Sequence, residues 1–483
     1  MEKTFELIEK NKDEMIEALR RVLRCPSEEG EPKGEYPFGE DVHKCFIEFL
    51  KLAEELGFQT ENIDNYGGHV DWVGKGYEDG RPPIICGILG HLDVVPAGTG
   101  WDVEPYSGEI MNGYIYGRGT TDDKGPLISV LYAMKALKDA GYEPVDTIRI
   151  IVGLDEETGW VGIRKYFEKA ARPDYGFTPD ADFPVINGEM GIIVFELARK
   201  FEKSNSKGLE LRSLTGGNAP NAVPANCRAV LRNISTEKSA QNWQEKIKAE
   251  VEAFRNMTGY KINVKGVGKS LEITTTGVAS HGARPWTGLN AISIMFEFLS
   301  RLNFANEDFN DFIAFYNKYV GFDLTGKAMG IELEDEQSGK LIFNAGMVEL
   351  NPEAVKLSIN VRYPVSNKLE DVTKPVQEVI DKYNMGIIIE KHHDPIWIDV
   401  DSPMVKILMD VYRRNTGDNE SKPLVIGGGT YARATDNIIA FGALFPGDED
   451  IMHQKNEKLS IDRFVQMTKI YAEAIHDLDG KIE

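Results

Sequence analysis

Runs of hydrophobic residues change character along the chain, and the change predicts a succession of helices and strands. Over residues 1–56 the hydrophobic positions recur at the spacing of amphipathic helices. The segments 83–95 and 147–154 are largely apolar, which is typical of strands buried on both faces of a mostly parallel sheet. Residues 126–137 between them show helical spacing, as do residues 158–171 after them. This alternation predicts an open α/β sheet with helices on both faces.

A different pattern begins near residue 187 and predicts an inserted domain. Its predicted elements are β-rich segments at 192–233 and 261–276, a polar helix near 236–256, a helix at about 288–302, and strands at 341–349 and 355–363. The first pattern returns with the sequence GIIIEKHH and a helix near 403–415. We therefore predict an α/β domain built from residues 1–186 and 381–483, interrupted by an α+β domain at 187–380.

Net charge and cysteine usage restrict the partners and the compartment. The chain has 483 residues and a formal net charge of −22, which disfavours nucleic acid because binding a polyanion requires clustered Lys and Arg. Its four cysteines form no CxxC pair, so we expect free thiols in a reducing compartment. The N-terminus shows no apolar signal segment, and no apolar run approaches the roughly 20 residues of a membrane span. We expect a cytoplasmic protein with no membrane or nucleic-acid partner.

Acidic and imidazole side chains follow several predicted strands, in the segments GHLDVVP, GRGTTDDKGP, GLDEETGW, TPDADFP and IMHQKNE. The candidate metal ligands in these segments are His91, Asp122, Glu157, Asp180 and His453. Open α/β sheets place their sites at such strand ends. Three carboxylates and two imidazoles can give each of two divalent ions one His, one terminal carboxylate and a share of a bridging carboxylate. This mixed set suits zinc, with manganese or cobalt as alternatives.

Neighbouring acids predict supporting roles at the same place. Asp93 lies two residues after His91 on the same side of a strand, so it can accept the second ring proton and orient the imidazole. Asp155, Glu156 and Glu157 are adjacent acids at the end of a buried strand. One glutamate can bind a metal while its neighbour takes a proton from water.

Each motif also has a non-catalytic interpretation. Asp122 can cap a helix, and the acids 155–157 can form a solvated turn. Among the candidate ligands, Asp182 is an alternative to Asp180. The histidines at 392–393 face opposite sides of a strand, so we interpret them as structural. The combination, rather than any single motif, favours a two-metal site.

The segments GHLDVVP, GRGTTDDKGP, DEETG and TTGVASHGARP together resemble the M20 metallopeptidases, and within them the PepV-type dipeptidases. The resemblance extends from about residue 10 to residue 475. It implies a catalytic α/β domain interrupted by a lid domain, which would be residues 187–380.

The resemblance also implies a role for each candidate residue. Asp122 would bridge the two ions and be joined to Asp123 by a cis peptide. The other ligands would form two pairs, one for each ion: His91 with Asp180, and Glu157 with His453. The catalytic residues would be Glu156 as general base, Asp93 orienting His91, and His281 stabilising the oxyanion. The substrate-binding residues would be Asn221, Arg362, Gly428 and Gly429.

These roles predict hydrolysis of the amide bond of a dipeptide, with a metal-bridging water and Glu156 as general base. The alternative is an M20-type amidohydrolase that acts on N-acyl amino acids or other small amides. A non-catalytic binding protein is disfavoured, because the general base and every candidate ligand are present together. Residues 300–345 resemble extra lid sequence that takes the place of a partner subunit, so we expect a monomer, with a dimer as the alternative.

Overall fold

The computed structural model describes residues 1–202, 207–235 and 242–482. Its chain divides into two units. Unit 1 comprises Met1–Asn187, Trp397–Leu424 and Gly429–Glu483, and unit 2 comprises Gly188–Ile396 and Val425–Gly428. Among the described residues, we find no helix with the length and apolar character needed to cross a bilayer.

A nine-stranded mixed sheet forms the centre of unit 1. The strands lie in the order Gln59–Ile63, Gly67–Trp72, Thr147–Gly153, Ile85–His91, Tyr175–Thr178, Ile438–Ala440, Ile186–Glu189 and Ile396–Trp397, and Leu424–Ile426 also pairs with Ile186–Glu189. The four central strands, from Thr147–Gly153 to Ile438–Ala440, are parallel. On one side Gln59–Ile63 and Gly67–Trp72 continue the sheet antiparallel, and on the other Ile186–Glu189 pairs antiparallel with Ile438–Ala440. Parallel strands end at a common edge of the sheet, so the segments that follow them come together there.

Two smaller sheets complete the strands of unit 1. One consists of Glu109–Met111, Tyr114–Tyr116 and Lys458–Ser460, and the other of Ala181–Asp182 and Ala443–Leu444.

Helices cover both faces of the large sheet, as predicted. The α-helices of unit 1 are Glu2–Lys10, Lys12–Leu23, Glu40–Glu55, Lys124–Ala140, Val161–Phe167, Pro403–Thr416 and Ile461–Leu478, with a 3₁₀ turn at Tyr431–Ala434. Gly67 faces Tyr166 of Val161–Phe167, while the next residue, Gly68, faces Phe46 of Glu40–Glu55. Because successive strand residues point to opposite faces, these two helices lie on opposite sides of the sheet.

Unit 2 is an α+β structure built on an eight-stranded antiparallel sheet. The strand order is Lys261–Val267, Ser270–Thr276, Asn226–Asn233, Leu209–Gly216, Ile342–Leu350, Ala354–Tyr363, Gly191–Lys200 and Gly386–His393. Two short pairs, Ala222–Val223 with Ser280–His281 and Glu334–Asp335 with Gly339–Lys340, lie outside it. The helices are Trp243–Thr258, Ala291–Leu299, Glu307–Tyr319 and Leu369–Ile380, with 3₁₀ turns at Pro285–Thr287, Lys327–Met329 and Asp381–Tyr383. Their apolar sides and one face of the sheet share a single core.

Several element boundaries differ from the predicted ones. The polar helix predicted near 236–256 is Trp243–Thr258, and residues 236–241 lie outside the described part of the chain. The helix predicted at 158–171 is shorter, Val161–Phe167, because Trp160 before it has a left-handed backbone (φ 57°).

The predicted return to the α/β domain at residue 381 is too early. The strand Gly386–His393 pairs antiparallel with Gly191–Lys200, so the chain remains in unit 2 as far as Ile396. A second short segment, Val425–Gly428, also belongs to unit 2; there the backbone N–H of Met190 donates to the Ile426 carbonyl at 2.9 Å. After residue 381 the chain therefore passes from one unit to the other three times, although its hydrophobic pattern there predicts a single domain.

Candidate metal centre

His91 is the last residue of a central parallel strand, so its imidazole lies at the edge where the neighbouring strands also end. Its Nδ1 lies 3.0 Å from the Asp93 backbone carbonyl and 3.4 Å from Asp93 Oδ1. These acceptors favour the tautomer with the proton on Nδ1, which leaves the Nε2 lone pair for an ion. Gly90 before it leaves room for Asp123 and Leu127, which an added Cβ would overlap.

Asp122 lies between the two candidate imidazoles. Its Oδ1 is 3.0 Å from His91 Nε2, and its Oδ2 is 2.8 Å from His453 Nε2. The peptide bond that joins it to Asp123 is cis, as the resemblance implies. One carboxylate therefore presents an oxygen to each of two histidines that are 362 positions apart in the sequence numbering (91 and 453).

The structure brings all five predicted ligands together, in two groups of donors. His91, Glu156 and Asp180 form one group, and Asp122, Glu157 and His453 form the other, with donor atoms in each group within 4.8 Å of one another. Asp180, rather than Asp182, belongs to the first group. The imidazole and carboxylate donors of both groups fit zinc, manganese or cobalt. The predicted general base, Glu156, lies beside the ligands rather than apart from them.

Crowding of these groups shifts their titration. Hydrogen bonds that His453 donates to the carboxylates of Asp122 and Glu157 raise its pKa to about 10. Burial opposes protonation of His91, but the neighbouring carboxylates of Asp122 and Asp93 raise its pKa well above the ordinary value. Burial, and then the charge of Asp122, raise the pKa of Asp180 to about 7. The cluster is therefore one in which positive charge is required, from imidazolium protons or from metal ions.

Asp123 has a different role from Asp122, which explains the two adjacent aspartates. Its side chain is buried, and its Oδ2 accepts the backbone N–H of His91 at 3.1 Å. Burial, and then the charge of Asp180, raise the pKa of Asp123 well above the ordinary value. Asp123 thus fixes the backbone of one candidate ligand instead of binding an ion.

The three adjacent acids after the strand Thr147–Gly153 also divide their roles. Asp155 accepts the backbone N–H of Gly162 at 2.9 Å and so holds the start of the helix Val161–Phe167. Glu156 and Glu157 belong to different donor groups. The backbone N–H of Glu157 donates to Asp93 Oδ2 at 3.0 Å, so Asp93 contacts residues of both groups.

A buried ion pair that the sequence analysis did not identify lies next to these ligands. Arg118 Nη1 donates to Glu457 Oε2 at 2.7 Å, and Glu457 Oε1 accepts from the backbone N–H and the hydroxyl of Thr121, both at 2.9 Å. Thr121 immediately precedes Asp122, and Glu457 lies on the segment that follows His453. The pair therefore joins the two loops that supply Asp122 and His453. Both residues stand in quoted segments, Arg118 in GRGTTDDKGP and Glu457 in IMHQKNE. Neither predicted burial, because charged residues in loops are usually solvated.

The predicted substrate-binding residues of unit 2 also lie near one another. His281 pairs with Ala222, and the Asn221 carbonyl accepts the N–H of Gly282 at 2.6 Å. Burial, and then the charge of Arg362, lower the pKa of His281. A neutral imidazole and a guanidinium are therefore neighbours within this unit.

The glycine segment predicted to bind substrate is divided between the units. Gly428 belongs to unit 2 and Gly429 to unit 1. In unit 2, a Cβ added at Gly427 would lie 3.4 Å from Ala283 Cβ, two residues beyond His281. Neither His392 nor His393 is a member of either donor group, and His392 Nε2 lies 2.9 Å from the Tyr363 hydroxyl.

Known proteins are similar to this one over most of its chain. The family model described as "Peptidase family M20/M25/M40" matches residues 87–477. The protein named "Putative dipeptidase YtjP" of Bacillus subtilis (strain 168) is 35% identical over 476 residues, which cover 97% of this chain and 98% of that protein. The crystal structure of human carnosine dipeptidase 1 is similar with a TM-score of 0.54 and 17% identity, covering 99% of this chain and 98% of that one. The di-peptidase Dug1p of Saccharomyces cerevisiae gives a TM-score of 0.55 at 16% identity, covering 98% and 97%; at this identity the two structures support the fold alone.

Proposed function

The chain belongs to peptidase family M20/M25/M40, and on this premise we propose that it is a dinuclear metal-dependent dipeptidase. The observation that carries the proposal is the position of Asp122, whose two oxygens face His91 Nε2 at 3.0 Å and His453 Nε2 at 2.8 Å. A carboxylate flanked in this way can bind two ions at once. Hydrolytic sites with two ions use such a shared ligand to hold them close together.

We assign two divalent ions to this centre, with His91 and Asp180 serving one, Glu157 and His453 serving the other, and Asp122 shared. Mixed imidazole and carboxylate donors favour zinc, and manganese and cobalt accept the same donors. When bound, the ions would lower the pKa of a water molecule and polarise the scissile carbonyl.

Glu156 is the general base of the proposed reaction. Burial, and then the charge of Asp180, raise the pKa of Glu156 well above the ordinary value, so its carboxylate binds a proton readily. Glu156 takes a proton from the attacking water and gives it to the leaving amine as the C–N bond breaks. Asp93 holds His91 in the required tautomer throughout.

The cluster of Asn221, His281 and Arg362 supplies the substrate-binding groups in this proposal. The lowered pKa of His281 keeps its imidazole neutral near pH 7, so a ring N–H can donate to the developing oxyanion. The Arg362 guanidinium suits a free carboxylate, and the backbone N–H groups of Gly428 and Gly429 add further donors. Recognition of a free carboxylate near the scissile bond favours dipeptides over longer peptides.

The test compares Glu156→Gln with Glu449→Gln, a control whose side chain is 75% exposed on the loop before His453. Both variants should bind two ions per chain by metal analysis. Glu156→Gln should lose about 10²–10⁴-fold in kcat because it cannot take the proton, whereas Glu449→Gln should behave as the wild type.

The substrate class is tested by comparing dipeptides with the corresponding N-acetyl amino acids. A higher kcat/KM for dipeptides supports the proposal, and a higher kcat/KM for the acetylated compounds would establish the amidohydrolase alternative. If Glu156→Gln turns over at the wild-type rate with both ions bound, the assignment of the base is wrong.

We also propose that the enzyme is a monomer of the cytoplasm. All four cysteines are free thiols, and free thiols persist in reducing compartments. Sedimentation of the purified protein over a range of concentrations tests the oligomeric state, and a concentration-independent dimer mass would contradict the monomer.

A further inference from the structure

Several buried polar atoms at or next to the candidate metal centre have no hydrogen-bond partner among the described residues. They include the hydroxyl of Tyr431 and Oδ1 of Asp93, as well as Asp123 Oδ1 and Arg118 Nε. Buried polar atoms in folded proteins are nearly always paired, either with protein or with an internal water. A buried donor and a buried acceptor of this kind can share one internal water.

Packing fixes the place of the Tyr431 hydroxyl. The side chain is fully buried, and its ring meets that of His91 edge to face, with centroids 6.2 Å apart and an interplanar angle of 85°. A Cβ added at Gly153 would overlap the hydroxyl. Gly153 is paired with His91 in the parallel sheet, so the hydroxyl lies where the strands leading to His91 and Asp155 end.

The Tyr431 hydroxyl is a hydrogen-bond donor at neutral pH, because a phenol carries its proton there. Its buried position therefore calls for an acceptor close by.

The charges of Asp155 and Asp93 act on the Tyr431 hydroxyl, and of these two acids Asp93 has the unused acceptor. Asp155 already accepts the backbone N–H groups of Val161 and Gly162. Asp93 Oδ2 accepts from Glu157, while Oδ1 lies 3.4 Å from His91 Nδ1 and has no hydrogen bond.

We propose that Tyr431 is a positioning residue that donates, through a buried water molecule, to Asp93 Oδ1 and thereby holds the Asp93–His91 pair in register for the metal centre. The inference rests on the proposed function, because Asp93 and His91 are assigned there. The 3₁₀ turn that Tyr431 begins is separated from Gly429 by Thr430 alone, so Tyr431 is also close in sequence to the glycine segment.

The test uses Tyr431→Phe, which removes only the hydroxyl, and Tyr175→Phe as the matched control. Tyr175 is buried in the same sheet, and its hydroxyl donates to Asp146 at 2.8 Å, a contact that involves no candidate ligand. Metal-stripped wild type and both variants are titrated with zinc in competition with a chromophoric chelator. The kcat and KM for a dipeptide are measured on the zinc-loaded proteins.

Tyr431→Phe should weaken one of the two zinc affinities and lower kcat, each by about tenfold, the lower end of what contacts behind a ligand contribute. Its KM should change less than about twofold, since the hydroxyl contacts no substrate. Tyr175→Phe should lose thermal stability without either change, which separates positioning from folding.

The opposite results overturn the inference. If Tyr431→Phe binds both zinc ions and turns over as the wild type does, the hydroxyl only fills space. If the wild type binds two zinc ions but hydrolyses no dipeptide, the proposed function fails, while the zinc affinities of Tyr431→Phe still decide the role of Tyr431. A wild type that binds no zinc would overturn both.

Discussion

The buried pair of Arg118 and Glu457 leads to a prediction for the variant Glu457→Gln. Both side chains are at most 2% exposed, so the variant leaves the Arg118 charge without its counter-ion in a place that water does not reach. Losing one partner of a buried pair costs about 3–5 kcal/mol. We expect the lower end, about 3 kcal/mol, because the amide keeps one acceptor and Arg118 Nη1 also donates to the Gln454 carbonyl at 3.2 Å.

The same variant should lower the affinity for the ion that is assigned to Asp122, Glu157 and His453. Glu457 holds the backbone N–H of Thr121 at 2.9 Å, immediately before Asp122, and lies on the segment after His453. Contacts of this kind behind a ligand contribute about 10–100-fold in metal affinity. Urea unfolding of metal-free protein measures the stability, and zinc titration against a chelator measures each affinity.

Two further variants separate stability from metal binding. Asp71→Asn breaks the Arg149 pair, whose bonds are 2.8 and 2.7 Å and whose side chains are 12% and 14% exposed; it should lose comparable stability and keep both zinc affinities. The double variant Arg118→Gln with Glu457→Gln removes the stranded charge, so it should regain stability but not affinity. If Glu457→Gln is destabilised as Asp71→Asn is and yet binds both ions as the wild type does, the linking role of Glu457 is refuted.

The remaining predictions concern ions and protons. Asp122→Asn should weaken the binding of both ions, whereas His453→Gln should weaken mainly the binding of one. Equilibrium dialysis with metal analysis distinguishes these two results. If both variants lose the same amount of bound metal, Asp122 is not a shared ligand. Because Asp122 and Glu157 raise the pKa of His453 to about 10, zinc binding near pH 7.5 should release about one proton from this residue. Calorimetry in two buffers of different ionisation enthalpy measures this proton release. If no proton is released, the raised pKa of His453 is contradicted. In metal-free protein, this raised pKa stabilises the fold fully below the ordinary value of 6.5 and ceases to do so as the pH rises towards 10. The stability difference between wild type and His453→Gln in urea with chelator should therefore be larger near pH 6 than near pH 9, and the reverse order would refute the assignment.

The ligand cluster was predictable because its members follow strands that the apolar pattern reveals. His91 ends one parallel strand, Glu157 follows another, and Asp180 follows a third. Parallel strands of one sheet end on a common edge, so finding the strands was enough to expect these side chains to meet. Their placement together, including His453 from the far end of the sequence, is what the structure shows.

The contacts behind the ligands could not be found in the same way. Arg118 and Glu457 are 339 residues apart in sequence, and neither has an apolar or strand pattern around it that marks burial. The domain boundary predicted at residue 381 was wrong for a similar reason. Only the pairing of the strand Gly386–His393 with Gly191–Lys200 assigns that strand to unit 2. Local periodicity predicts an element but not which distant element it pairs with.

The candidate ligands are linked to one another by contacts that form a closed chain. Asp93 joins His91 to the backbone of Glu157. Its carbonyl lies 3.0 Å from His91 Nδ1, and its Oδ2 accepts the backbone N–H of Glu157 at 3.0 Å. Asp122 joins His91 to His453, and Glu457 joins the loop before Asp122 to the segment after His453. Because hydrogen bonds to the backbone as well as contacts among the ligands fix these separations, the protein framework itself holds the candidate ligands in place. Variants at different points of this chain should therefore not be independent, since each loosens the same set of distances.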